Sequence, residues 1–361
     1  PGTFADDEEL FAFADVLGRH GKGVFESAPR FEKAGADWSG LKHEIKTLGE
    51  VTRRSGRPST FGLVYNAVRP DMSDVALAEV AAENRKGAEL RPQTTCRPIG
   101  VVLGIQHRTP WARAGETWKS MQDMNLGERL ALIRDSNTRR MLIEEANNPE
   151  KIHGGGSAMV DLSRLYLLDA ENPDYRVGPE GTLEAKAAQA GVTPVEYFLA
   201  ETDRSDGSVM LSLPILNQDY EAIETMMADE AIVMGLADAG AHVGQIMDSS
   251  QPTYFLSHWV RDTGFFTLEE GVRRITSDTA DLFGLVDRGR IVEGAYADVN
   301  VIDFERLSLI GPEYVHDFPG GAGRYIQRGT GYDVTIVNGK VFMEDGEHTG
   351  ELAGVTLRST D

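Results

Sequence analysis

Helical periodicity and short uncharged runs alternate through the first three quarters of the chain. Asp6 and Glu9 have capping-box spacing, and Leu10, Phe11, Phe13, Ala14 and Leu17 continue on a helical stripe that Gly21 and Gly23 end. Residues 24–26 then read as a short strand, about 38–54 as a helix stopped by Gly56, and 58–66, rich in β-formers, as a second strand. A helix over about 71–85 leads to a third strand that ends at Pro98-Ile99. Residues 209–213 read as a further buried strand, about 219–227 as a helix, and 231–238 as a last buried strand. The alternation predicts a parallel α/β core.

Two regions break that rhythm. Residues 104–190 show a helix near 127–146, a Gly154-Gly155-Gly156 loop and the look of a surface excursion; a capping box with proline at the first helical position then restarts a helix at Thr193-Pro194-Val195-Glu196. After Gly284 the pattern turns to strands, with a hairpin over 333–342 closed by Asn338-Gly339. The expected division is an α/β unit over 1–284 and a small β unit over 285–361, following the helix that starts at Thr267-Leu268-Glu269-Glu270.

Composition narrows the function classes. The chain has 361 residues, 41% hydrophobic and 26% charged, as an ordinary globular protein does. Its net charge of −21, with no run of lysine and arginine, sets nucleic acid and anionic membrane aside as partners and leaves a small molecule. No apolar stretch reaches the length of a membrane span, and Pro1-Gly2-Thr3-Phe4-Ala5-Asp6-Asp7 has neither the basic region nor the apolar core of a signal peptide. The single cysteine, Cys96, excludes an internal disulfide and a cysteine-rich zinc cluster. A reducing cytoplasm is the expected compartment.

The candidate chemistry begins at the last buried strand. Seven uncharged residues, Ala231-Ile232-Val233-Met234-Gly235-Leu236-Ala237, end in Asp238, and Ala239-Gly240-Ala241-His242 follow. Barrel and open α/β enzymes place reactive groups at such carboxyl ends of strands; the other reading of Asp238 is a turn cap. His242 reads either as a group that hydrogen-bonds substrate or sits beside a metal, or as a turn histidine. Arg97 suits bidentate pairing with a substrate carboxylate, or an internal ion pair. Cys96 reads as a thiolate ligand or as a small core residue. The Gly154–Gly156 and 320–323 glycine stretches follow no strand and read as turns rather than phosphate loops.

Particular motifs carry a family resemblance. Asp287-Arg288-Gly289-Arg290-Ile291-Val292-Glu293-Gly294-Ala295-Tyr296-Ala297-Asp298-Val299 and Val337-Asn338-Gly339-Lys340-Val341 resemble the segments by which amidohydrolase-superfamily enzymes pass from barrel to β-sandwich. Pro1–Ala5, Asp238–His242, 267–273 and Thr349-Gly350-Glu351-Leu352-Ala353-Gly354 are similar to the N-acyl-D-amino-acid deacylase (D-aminoacylase) branch. The resemblance implies a (β/α)8 barrel of TIM type followed by a small β-sandwich. It also implies a zinc-bound hydroxide that attacks an amide carbonyl, with Asp238 as general acid/base and metal ligand.

The chain departs from the family pattern at named positions. The family's His-X-His pair precedes the Pro-Gly-X-X-Ala segment at which this chain begins, so the resemblance is to a carboxyl-terminal portion. Five candidate barrel strands are visible, and counting back from 231–238 makes them strands four to eight of an incomplete barrel. The fourth ends in Glu26, a bridging metal ligand or a solvated acid. The fifth ends in Asn66 and the sixth passes Cys96-Arg97, where active relatives have histidines; Asn66 is then a substrate contact. The expected reaction is hydrolysis of an N-acyl amino acid or related small amide. The rivals are a cyclic-amide or dipeptide hydrolase and a non-catalytic relative that binds a ligand or partner. Unpaired sheet edges predict a homo-oligomer or a self-associating chain.

Overall fold

The computed structural model describes residues 5–29, 31, 37–148, 161–169, 173–176, 178–235, 240–246 and 248–357. The first helix, α1 (Asp7–His20), starts where expected: Asp6 Oδ1 accepts the Glu9 N–H at 2.9 Å, and Gly21 closes the helix in the left-handed region.

Among the described residues, four short strands run parallel. β1 (Phe25–Ser27) pairs with β2 (Ser59–Phe61), and β3 (Gln93–Thr94) pairs with β7 (Val233–Met234). Parallel bridges Ser59–Leu90 and Gly62–Gln93 join β2 to the β3 segment, so the strand order is β1-β2-β3-β7. One face of this sheet is apolar: Phe61, Leu63, Leu90 and Ile232 pack on Leu41, Ile45 and Leu48 of α2 (Ser39–Ser55) and on Ala76, Leu77 and Val80 of α3 (Met72–Asn84). Glu26, Thr60 and Gln93 meet away from that apolar core, joined by hydrogen bonds. The helices cover the greasy side, and a polar side is left for chemistry.

The strand expected at 209–213 does not belong to the parallel sheet. β6 (Met210–Leu216) is the centre of an antiparallel sheet, with β4 (Ile99–Gly104) on one side and β5 (Tyr166–Leu168) on the other. An uncharged run fits either kind of sheet, and the partner strands lie far off in sequence. Gly100 makes the β4–β6 approach feasible, because a Cβ there would lie 2.4 Å from the Leu213 carbonyl oxygen. The five candidate barrel strands therefore reduce, among the described residues, to the four parallel strands β1, β2, β3 and β7.

The antiparallel sheet and its helices form an insert between β3 and β7. Leu103, Leu165 and Leu211 pack with Trp111, Trp118, Leu142 and Phe198 in a core of their own. The helix expected near 127–146 is two helices, Leu126–Arg134 and Ser136–Ala146. Asp135 ends the first and caps the second through the Thr138 N–H at 2.8 Å. The Gly154–Gly156 loop lies outside the described residues.

Beyond residue 284 the chain forms an antiparallel sheet of β8 (Val299–Ile302), β13 (Tyr332–Val337), β14 (Lys340–Glu344) and β15 (Glu347–His348), in the order β15-β14-β13-β8. Asn338 and Gly339 make the expected two-residue turn at φ 49° and 76°. Two small ladders, β9 (Ser308–Leu309) with β12 (Gly329–Thr330) and β10 (Glu313–Val315) with β11 (Arg324–Ile326), lie between them in sequence. Leu307, Leu309 and Tyr325 share a core with Tyr254, Phe255 and Trp259, so this region is packed against the segment that follows β7. Among the described residues, no helix is long and apolar enough to cross a membrane.

Candidate functional site

The carboxyl ends of the parallel strands are the place to look for chemistry in such a sheet. From the end of β3 the chain runs Thr94-Thr95-Cys96-Arg97, all buried. Thr94 faces the helices, its hydroxyl 3.7 Å from the Met226 sulfur, and Thr95 Oγ1 donates to the Arg97 carbonyl at 2.8 Å. Asn217, fully buried just past β6, ties two of these strand ends together. Its Nδ2 donates to Thr95 Oγ1 at 2.8 Å and to Thr94 Oγ1 at 3.2 Å, while its Oδ1 accepts the Tyr65 N–H at 2.6 Å. The side-chain amide thus fastens the insert to the ends of both β2 and β3.

The sequence candidates fall in different surroundings. Asp238 lies outside the described residues. Glu26, exposed on β1, accepts from Gln93 Nε2 at 3.2 Å, and the same nitrogen reaches Thr60 Oγ1 at 3.3 Å. These three polar side chains bridge β1, β2 and β3. Asn66 shapes its own turn, with Oδ1 accepting the Val68 N–H at 2.9 Å. His242 is exposed at φ 49°, and its carbonyl accepts from the Gln245 and Ile246 N–H groups at 2.7 and 2.9 Å.

Arg97 is engaged internally. It is 1% exposed, and its Nη1 pairs with Asp248 Oδ1 at 3.1 Å while Nη2 donates to Ser250 Oγ at 2.9 Å. Its guanidinium carbon lies 4.1 Å from the centre of the Tyr175 ring. Of the two readings of Arg97, the structure has the internal ion pair, in which the guanidinium already has a buried carboxylate partner. Cys96 is a core residue. Burial pushes its thiol up to about 12, and its Sγ donates to the Gln251 carbonyl at 3.2 Å.

Sequence reasoning did not single out Gln93, Asn217 or Asp248. Asp248 is 151 residues from Arg97, and no local pattern links them. His107 is a further case: it stacks on Tyr314 with ring centres 5.1 Å apart, and its Nδ1 lies 3.1 Å from the Tyr314 hydroxyl. Burial, and then the nearby Arg129 cation, hold its pKa below the usual histidine value.

Zinc requires several of histidine, thiolate and carboxylate to converge. Among the described residues, no group of three or more histidines, cysteines, aspartates or glutamates is placed to hold a metal ion. Glu26 meets an amide, the Cys96 thiol resists ionisation, and Asn66 is held in its own turn. The described residues do not fit a zinc site.

Comparison with known proteins shows what the chain is similar to. Residues 182–343, which span β6, β7 and the strands up to β14, match the amidohydrolase family. D-aminoacylase from Alcaligenes xylosoxydans xylosoxydans is 32% identical over 105 residues, covering 29% of this chain and 20% of that protein. A crystal structure of D-aminoacylase superimposes with a TM-score of 0.53 at 18% identity, over 97% of this chain and 59% of the other. The N-acyl-D-glutamate deacylase of Bordetella bronchiseptica, solved with zinc and a phosphonate mimic of the tetrahedral intermediate, gives a TM-score of 0.51 at 16% identity, over 98% of this chain and 60% of the other. The chain thus spans about three fifths of the length of these solved relatives and shares their fold. Residues 182–343 thus match the amidohydrolase family, and the chain is similar to D-aminoacylase in part of its sequence and in its fold.

Proposed function

We propose that the protein hydrolyses the amide bond of a small N-acyl amino acid, with Asp238 as general acid/base. The observation that carries this reading is the family match across β7, the strand whose chain runs on to Asp238. A carboxylate at a strand end, within hydrogen-bond reach of a water, takes the water's proton as the oxygen attacks the carbonyl and returns it to the leaving nitrogen. His242, exposed and four residues beyond Asp238 in sequence, is a proposed substrate contact, and Asn66, in the turn that follows β2, is another. A zinc ion, present in the solved N-acyl-D-glutamate deacylase, would need ligands beyond the described residues.

The test uses the full natural protein and a panel of N-acetyl amino acids of both hands, dipeptides and cyclic amides. Hydrolysis of an N-acyl amino acid is expected, and Asp238→Asn should lower kcat by about 100-fold or more, the usual range for general acid–base catalysis. Hydrolysis that survives Asp238→Asn at full rate would overturn the assignment. Turnover confined to cyclic amides would move the substrate class, and no turnover of any amide would favour a ligand-binding relative.

A further inference from the structure

We infer that Arg97 is a positioning residue that acts through Asp248 on the turn 240–246, and that it makes no contact with substrate. The inference rests on the reading that this turn takes part in amide hydrolysis.

The connection that leaves β7 starts against the end of β3 and finishes against the segment just beyond it. At its start the Gly235 N–H donates to the Thr94 carbonyl at 2.7 Å, and a Cβ at 235 would stand 3.2 Å from that oxygen. At its end Arg97 grips Asp248 and Ser250, and the neighbouring Cys96 N–H donates to Gln251 Oε1 at 3.1 Å. Thr94 at the end of β3 and Arg97 three residues further on therefore hold the two ends of the connection.

The turn between them is shaped rather than slack. The Val102 N–H donates to the Gln245 carbonyl at 2.7 Å, and the Tyr325 N–H to the Val243 carbonyl at 2.9 Å. Gly244 lies against His107, where a Cβ would come within 2.8 Å of Nε2. Ile246 is buried, while His242 stands exposed in the left-handed region, which residues with side chains enter at a cost. A histidine held in that conformation with its ring to solvent needs surroundings that fix the backbone. The Arg97–Asp248 pair is the charged anchor at the end of that frame. Both side chains are buried, and Tyr175 covers the guanidinium. A substrate carboxylate could reach it only by displacing Asp248 or by entering beside it, which would put two like charges in one buried site.

The experiment compares Arg97→Met, Arg97→Lys and Asp248→Asn in the full natural protein. Native-state hydrogen exchange should be about tenfold or more faster at the 240–246 amides and at those of Val102 and Tyr325 in the Met and Asn variants. The Lys variant should be intermediate, and the α1 and α2 amides unchanged. Kinetics are read on an N-acyl amino acid and on its carboxamide analogue. Positioning predicts that kcat falls about tenfold with KM within about twofold, and that the preference for carboxylate over carboxamide is unchanged. A raised KM with loss of that preference would show that Arg97 binds the substrate carboxylate. Unchanged exchange in the turn would equally overturn the proposal. If the natural protein hydrolyses neither substrate, the functional reading fails while the exchange arm still decides whether Arg97 holds the turn.

Discussion

Replacing Asn217 tests whether one buried amide holds the insert to the parallel sheet. Its two shortest side-chain hydrogen bonds, 2.8 Å to Thr95 Oγ1 and 2.6 Å from the Tyr65 N–H, join groups that are 122 and 152 residues away in sequence. Each is worth about 1 kcal/mol net, and leaving buried partners unsatisfied adds to that. Asn217 also sits at φ 53°, where alanine costs about 1 kcal/mol more than a residue suited to the left-handed region. Asn217→Ala should therefore lose about 3 kcal/mol. Asn217→Gly should lose about 0.5–1 kcal/mol less, since glycine enters this region without strain but gives up more chain freedom. Urea titrations followed by circular dichroism give both values, with the slope checked for constancy. Hydrogen exchange at the Tyr65 amide reports the local bond. A loss below about 1 kcal/mol for alanine, or a glycine variant weaker than the alanine one, would falsify the account.

Two further outcomes follow from the electrostatics and burial. Burial pushes the Cys96 thiol up to about 12, so in the native protein a thiol reagent at pH 8 should label it far more slowly than in the urea-unfolded chain; equal rates would contradict the packing. The Arg273 and Arg274 guanidiniums, at 2.8 Å or less, hold the Glu270 carboxyl down to about 2. A depressed carboxylate contributes stability above its usual value near 4.5 and loses it as pH falls toward 2. The stability gap between the natural protein and Glu270→Gln should thus be constant from pH 7 to about 5 and close below that; a gap independent of pH would refute the pairing.

Much of the local structure is readable because it depends on neighbours in sequence. Asp6 and Thr193 cap helices through residues three places on, and Asn338-Gly339 turns a hairpin because both residues tolerate positive φ. The apolar stripe of α2 likewise announces the layer that covers β2. Where local patterning was ambiguous, it misplaced β6. An uncharged run satisfies a parallel or an antiparallel neighbour equally, and only β4 and β5, from remote parts of the chain, make it antiparallel.

The candidate site divides in the same way. The amino-acid sequence by itself determined the alternation of helices and strands, motifs that resemble those of amidohydrolases, and Asp238 and His242 as neighbours after a buried run. Tertiary structure alone decided that Arg97 spends its charge on Asp248, that Gln93 joins Glu26 to Thr60, and that Asn217 locks two strand ends. The reason is physical. Periodicity and capping act over a few residues, whereas the partner of a buried charge or amide is whichever complementary group the packed chain brings within about 3 Å, however distant in sequence.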